Sequence, residues 1–265
     1  MTGFIFPTKP KIIKETSTEG IFEIENLYTG YGVTIGNALR RVLLSSLKGF
    51  AITTVQIKGV PHEFSVIDGV LEDVIQLILN LKKIRVKCFS EGPHTLILKA
   101  KGEGEVKAKD IEKNSNVEIL TPDAHIATLT DKKSELEMIL TVEEGLGYMP
   151  AEMRQKEKLP IGTISLDATF TPVKKVDFEV ENMRVGERTD YNRLRLFIET
   201  DGSILPRAAL KQAADILEEH FKIVGDIPLP EEKEEEIVEK KEVSKKETKG
   251  KETKKKAAKA KKSKK

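Results

Sequence analysis

The chain has 265 residues, 38% of them hydrophobic and 5% aromatic, with 45 Lys and Arg against 43 Asp and Glu for a formal net charge of +2. That composition suits an ordinary globular core of one large domain or two small ones, and no apolar run approaches the roughly 18 residues that would read as a membrane span. The first residues lack the basic region and long apolar core of a secretory leader, and a single Cys88 leaves no intrachain disulfide, so a reducing cytoplasm is the expected setting.

The charge is unevenly placed. Residues 231–265 hold 15 Lys and 9 Glu, a net of +6, which leaves residues 1–230 at −4. The expected folded part is therefore mildly acidic, and the basic character lies in the tail.

Residues 4–27 read as strand material, with Phe4-Ile-Phe6, Ile12-Ile13 and an alternating Ile21 to Ile24. A glycine-rich run from Thr29 to Gly36 then leads into an apolar helix predicted over 34–48. Thr34 is a natural N-cap, because its hydroxyl can accept from free amides of the first turn. Ile35, Ala38, Leu39, Val42, Leu43 and Leu47 follow the i, i+3, i+4 recurrence, and Lys48-Gly49 would supply a cation and a left-handed stop. Leu44 widens the stripe beyond one core face, which predicts a second packing surface. Arg40 and Arg41 point about 100° apart. Apolar residues beside arginines suit an interface helix, since the guanidinium fork holds carboxylates and carbonyls bidentately.

Ala51 to Val60 reads as a strand ended by Pro61, and His62 to Gly69 as a loop. A helix is predicted over Val70 to Leu81, with Glu72-Asp73 at its dipole-favoured start and Leu71, Val74, Ile75, Ile78 and Leu81 on its apolar face. Strands are predicted at 84–89, 94–100, 117–120, 126–129 and 135–143, with turns at Gly92-Pro93, Gly102-Glu-Gly104 and Thr121-Pro-Asp123. Gly145 to Pro150 is too glycine-rich to be regular, and 152–158 reads as exposed. Strand character resumes over Ile161 to Val173, Lys175 to Val185 and Arg193 to Thr200, followed by a turn at Asp201-Gly202.

A second long helix begins at Pro206, a residue suited to the first helical position. Its stripe is Leu210, Ala213, Ala214, Leu217, Phe221 and Val224, closed by Gly225. Helices near each end with strands between argue for the α+β class, not for alternating βαβ units. Beyond Pro228 the periodicity collapses into mostly acidic, then almost purely lysine-rich sequence, which is expected to be disordered.

Catalytic signals are absent from this reading. Gly30-Tyr-Gly-Val-Thr-Ile-Gly36 has Gly-x-Gly-x-x-x-Gly spacing with no following Gly-Lys-Ser/Thr, so a tight turn at an interface is favoured over a nucleotide loop. His62, His94, His125 and His220 show no metal-ligand spacing, and no Asp-x-Asp motif offers a two-metal centre. No catalytic residue, metal or cofactor is expected in this chain.

The run Gly36-Asn-Ala-Leu-Arg-Arg-Val-Leu-Leu-Ser-Ser-Leu47 resembles the first helix of the alpha subunit of bacterial RNA polymerase. Val60-Pro-His-Glu-Phe-Ser65, Leu71-Glu-Asp-Val74 with Leu79-Asn-Leu-Lys82, Gly145 to Pro150, Arg184-Val-Gly-Glu-Arg-Thr-Asp190 and Glu199 to Ile204 extend the likeness over roughly 5–228. The resemblance implies a discontinuous dimerisation domain (1–51 and 176–228), an inserted α/β domain (52–175) and a charged tail (229–265). It implies a cytoplasmic homodimeric scaffold that carries the beta and beta-prime subunits. Leu39, Leu43, Leu47, Leu210, Ala213, Leu217 and Phe221 are then the expected dimer contacts. Gly30, Gly36, Asn37, Arg40, Arg41, Arg184 and Arg188 are the expected large-subunit contacts.

The family usually carries a small helical promoter-binding domain beyond a linker, and this sequence is expected to lack it. Lys245 to Lys265 could instead grip DNA non-specifically through phosphate charge. The rival reading is a stand-alone dimeric DNA-binding protein acting through that tail. The acidic balance of residues 1–230 argues against it, because a primary DNA binder shows a basic face.

Overall fold

The computed structural model describes residues 6–154, 160 and 162–227. It has the strand-dominated α+β character expected from sequence. In chain order the elements are β1 (Lys11–Glu15), β2 (Glu19–Leu27), α1 (Tyr31–Ser45), β3 (Lys48–Ile57), α2 (Val74–Leu81), β4 (Val86–Cys88), β5 (His94–Lys101) and β6 (Gly104–Lys107). A 3-10 turn (Ala108–Asp110), β7 (Val117–Ile119), β8 (His125–Leu129), β9 (Glu135–Leu146), β10 (Tyr148–Met149) and α3 (Ala151–Arg154) follow. The chain then makes β11 (Thr163–Ser165), β12 (Ala168–Thr169), β13 (Val173–Val185), β14 (Arg188–Thr200) and α4 (Pro206–Gly225). A first compact unit ends at Phe221, and it contains both major hydrophobic cores.

One core lies on an antiparallel sheet ordered β1-β2-β14-β13. Alternation along β14 turns Leu194, Leu196 and Ile198 to the helices and Arg193, Arg195 and Phe197 to the opposite face. Leu39, Leu43 and Leu47, together with Ala209, Leu210 and Ala213 of α4, cover the apolar side with Phe22 and Leu27. The approach of α1 is close because glycines face the sheet. A Cβ on Gly36 would sit 2.7 Å from the Phe178 ring, and one on Gly32 would sit 2.7 Å from Val180 Cγ1.

That packing corrects the predicted start of the helix. Gly32 and Gly36 are helical and buried, and only Gly30, with φ 85°, forms the left-handed entry. Thr34 is inside the first turn, where its hydroxyl donates to the Gly30 carbonyl at 3.3 Å. The end is corrected too. Ser46 follows the helix, and Lys48-Gly49 open β3, where pairing of Gly49 with Gly145 recruits them into a sheet.

The other core is built on a sheet ordered β11-β3-β9-β5, with the ribbons β4-β7 and β6-β8 and with α2 beside it. Val55, Leu98, Met138 and Leu140 pack with Val74, Leu77 and Leu81. Helix α2 is shorter than predicted. Asp73 is its N-cap, accepting from the Gln76 amide at 2.7 Å, so Leu71 stands outside the helix and is 72% exposed. Its buried face is Val74, Leu77, Asn80 and Leu81, while Ile75 is exposed and Ile78 half-buried.

Glu72 does not serve the helix dipole. Its carboxylate accepts from the Thr128 amide at 2.6 Å and sits 2.8 Å from His125 Nε2, tying the chain before α2 to β8. Burial pushes this carboxyl up, but the Thr128 amide and the His125 ring outweigh it, and it lies below the ordinary carboxylate range.

Three other segments depart from the sequence reading. The expected turn at Gly102 to Gly104 leads directly into β6, and Gly145 to Pro150 is largely strand, ending β9 and forming β10 against β12. The stretch from 161 breaks into β11 and β12 before Val173 opens β13, with Asp167 between them accepting from the Ala151 amide and from Lys82, each at 2.9 Å. Residues 155–158 of the expected exposed run, and the tail from 228, lie outside the described residues.

Gly36→Ala separates two opposing effects. Alanine favours a helix by about 1 kcal/mol over glycine, whereas forcing a methyl into a filled core costs about 1–3 kcal/mol. With the Phe178 ring in the way, the steric cost is expected to dominate and lower Tm in a thermal melt. A raised Tm would show that the ring yields.

Candidate functional site

Helix α1 has two stripes. Gly32, Gly36, Leu39 and Leu43 are buried, while Val33, Asn37, Arg40, Arg41 and Leu44 recur at helical spacing on exposed positions. Val33 is 50% exposed and Leu44 36%. The outer stripe therefore combines two guanidiniums, one amide and two apolar side chains on a rigid element.

The arginines of this stripe differ from the others. Arg193 and Arg195 reach Glu23, Glu25 and Glu181, and Arg207 holds Glu15 at 3.0 Å. Arg188 holds Asp190, while Arg85 and Arg184 donate to the carbonyls of Thr169 and Gly186. Among the described residues neither Arg40 nor Arg41 has a side-chain ion-pair or hydrogen-bond partner.

The entry to α1 is held by the β13–β14 hairpin. Asn192, 6% exposed, accepts from the Gly30 amide at 2.8 Å and the Gly32 amide at 3.4 Å through Oδ1, and its Nδ2 donates to Asn182 Oδ1 at 3.2 Å. A side chain from a distant strand thus satisfies helix-end donors that the local sequence leaves open. Thr29 Oγ1 lies 2.8 Å from both the carbonyl and a carboxylate oxygen of Asp190. Arg188 closes on the same carboxylate with Nε at 3.0 Å and Nη2 at 2.6 Å, and its guanidinium lies over the rings of Tyr28 and Tyr191 at 5.1 and 5.3 Å. The Arg188 fork, then the Thr29 hydroxyl, hold the Asp190 carboxyl well below its ordinary range, and Asp190 raises Arg188 in turn.

The region from Val55 to Phe170 and its neighbour, residues 55–171, match the family model of the RNA polymerase Rpb3/RpoA insert domain. The chain is 49% identical over 238 residues to the DNA-directed RNA polymerase subunit alpha of Oceanobacillus iheyensis, covering 88% of this chain and 76% of that one. It is 47% identical over 243 residues, with the same coverage, to the subunit of that name from Alkaliphilus oremlandii. The chain belongs to the alpha-subunit family of DNA-directed RNA polymerase.

In this alpha-family chain the sequence-derived contact residues fall into distinct environments. Asn37, Arg40 and Arg41 share the exposed stripe, with Gly30 at the helix entry, whereas Gly36 is beneath the helix against Phe178. Arg184 and Arg188 are exposed on the hairpin, Arg188 already engaged within the chain. Leu39, Leu43, Leu47, Leu210 and Ala213 fill the protomer's own core; Leu217 is half-buried and Phe221 is 66% exposed. A cleft of about 600 Å³ opens beside α4, lined in part by Leu47, Phe50, Leu146 and Ile216.

The histidines are structurally employed. His94 faces the Ser90 carbonyl at 2.9 Å, His220 the Ile216 carbonyl at 2.7 Å, and His62 the Ser65 hydroxyl at 3.1 Å. His125 lies between Glu72 and Glu105. Among the described residues no group of three or more His, Cys, Asp or Glu could hold a metal ion, and no helix is long and apolar enough to cross a membrane. Burial, then the nearby Glu144 charge, push the Cys88 thiol up to about 11, which keeps it protonated and unreactive near neutrality.

Tyr28, Asn182 and Asn192 escaped the sequence reading, and Asp190 and Tyr191 entered it only within the family-like loop from Arg184 to Tyr191, with no role of their own. The available signal was a polar Asn192 beside the strand predicted from Arg193, but nothing local names its partner 160 residues away. Asn192→Ala is expected to leave the Gly30 and Gly32 amides without their acceptor and to lower stability by about 1–3 kcal/mol in urea denaturation. Asn192→Asp retains an acceptor and should lose less; equal losses would mean that the Asn182 contact dominates.

Proposed function

We propose that this alpha-family chain is a homodimeric assembly scaffold of RNA polymerase, whose outer α1 stripe docks the beta and beta-prime subunits. The observation that carries this reading is the contrast among the arginines: Arg40 and Arg41 lack partners among the described residues, while each of the others with a described side chain has one. Two unpaired forks on a rigid helix, flanked by Val33 and Leu44, are preorganised for carboxylates and carbonyls of a protein partner. Gly30 and Gly36 support that surface by setting the helix entry and its depth, while Asn37 extends it.

Dimerisation involves α1 and α4 away from the docking stripe, with Leu217 and Phe221 meeting the second copy. Leu39, Leu43, Leu47, Leu210 and Ala213 form the firm floor beneath them. The dimerisation domain comprises 1–51 and 176–228, the insert 52–175, and the charged tail 229–265. The two cores, and the family-model match at 55–171, support this division. The contribution to nucleotidyl transfer is positional, the chemistry residing in the large subunits, and the setting is the cytoplasm.

Arg41→Ala is expected to weaken binding of the large subunits about tenfold or more, as truncation of an interface anchor does. Size-exclusion chromatography with light scattering should still report a dimer. Loss of the dimer would mean that the helix faces are wrongly assigned.

We also propose that Lys245 to Lys265 add a non-specific electrostatic contact with DNA. Deleting 231–265 is expected to weaken DNA binding by the assembled enzyme and to reduce the steepness of its salt dependence. Unchanged binding at low salt would refute this contact.

A further inference from the structure

We propose that Arg188 serves assembly as a positioning residue, acting through Asp190, Thr29 and Tyr28 on the first turn of α1 and not by touching a large subunit. This rests on the reading of α1 as the docking helix. The guanidinium presents an edge and two faces, and the chain uses both kinds of surface. Its Nε and Nη2 close on Asp190, and its plane stacks near Tyr28 and Tyr191. Asp190 in turn takes the Thr29 hydroxyl, and Tyr28 meets Tyr31, the first residue of α1, edge-to-face at 6.2 Å.

These contacts from Arg188 lead back to residues 28–31. Four residues further along β14, Asn192 caps the same turn. The start of β14 is therefore a latch on the helix entry, where Gly30 would otherwise leave the backbone loose. A direct contact through the Nε–Nη2 edge would require the Arg188 fork to abandon its bidentate carboxylate. Holding the entry fixes the register and tilt of the stripe that bears Arg40 and Arg41.

The test uses the full-length chain as Arg188→Ala, Asp190→Ala, the double variant and Arg41→Ala. Amide hydrogen exchange across Gly30 to Asn37 is measured in the purified homodimer, and affinity for the beta and beta-prime subunits is measured separately. Each latch variant is expected to speed exchange of the first-turn amides about tenfold and to weaken subunit binding, with the double variant no worse than the stronger single. Arg41→Ala should weaken binding with exchange unchanged.

Weakened binding with unchanged exchange in Arg188→Ala, or additive losses in the double variant, would overturn the proposal in favour of direct contact. Weakening by Arg41→Ala but not by Arg188→Ala would overturn it as well. If neither affects binding, the docking role of α1 fails and the assembly role of Arg188 falls with it, whatever the exchange shows. Arg188→Lys keeps the charge without the fork or the stacked plane. It gives the same readouts should the alanine variant fail to fold, and partial exchange protection with partial binding is its expected result.

Discussion

The structure of the first core depends on how closely α1 can lie on its sheet. Gly32 and Gly36 remove the side chains that would hold the helix away, so Phe178 and Val180 fill the space directly beneath the backbone. Close packing of this kind gives many weak contacts and little freedom to tilt. It also sets a demand at the helix start, where the buried Gly32 amide and the part-buried Gly30 amide need an acceptor. Asn192 meets that demand from β14, and its own position is fixed by Asn182 across the hairpin. Depth, entry and orientation of the helix are thus decided by one hairpin.

The opposite face of that sheet follows another logic. Glu23, Glu25 and Glu181 interleave with Arg193 and Arg195, so the cations are neutralised within the fold. Glu23 is only 8% exposed, and a charge so placed is tolerable when an opposite charge compensates it. Among the described residues the other arginines with placed side chains are all engaged, and the pair on α1 is not. Arg40 and Arg41 are exposed on the outer stripe of α1.

Much of this was legible in the sequence, for a physical reason: the 3.6-residue recurrence in α1 and α4 and the two-residue alternation in β14 each write burial directly into residue order. Leu44, which widens the apolar stripe, is 36% exposed and belongs to the second stripe. Gly32 was misread because glycine is compatible with both a turn and a close helical approach, and only the facing Val180 and Asn192 decide between them. Glu72 was misread because a carboxylate near a helix start suits the dipole, whereas Thr128 and His125 lie 53 to 56 residues away. The latch was invisible for the same reason, being formed of contacts between residues 28–32 and 188–192. Simple alternation also fails there: the register of β14 against β2 shifts between Asn192 and Leu194, and Tyr191 and Asn192 are both buried.

A homodimer would bring a constraint that the sequence of a single copy does not display. Two-fold symmetry presents each surface twice, so two copies of the α1 stripe are chemically identical before any partner arrives. If beta and beta-prime each take one, the difference between the sites must come from the partners or from surfaces beyond the stripe. The second core offers such a surface in the exposed Phe64, Val66 and Leu71 and in the groove lined by Ile75, Leu79 and Lys82. A rigid shared helix would then supply common anchoring, while the loop surface of the second core would discriminate. Such a division would require the shared helix to keep one geometry in both copies, and its seat on Gly32 and Gly36 with the Asn192 cap from β14 restricts it to one.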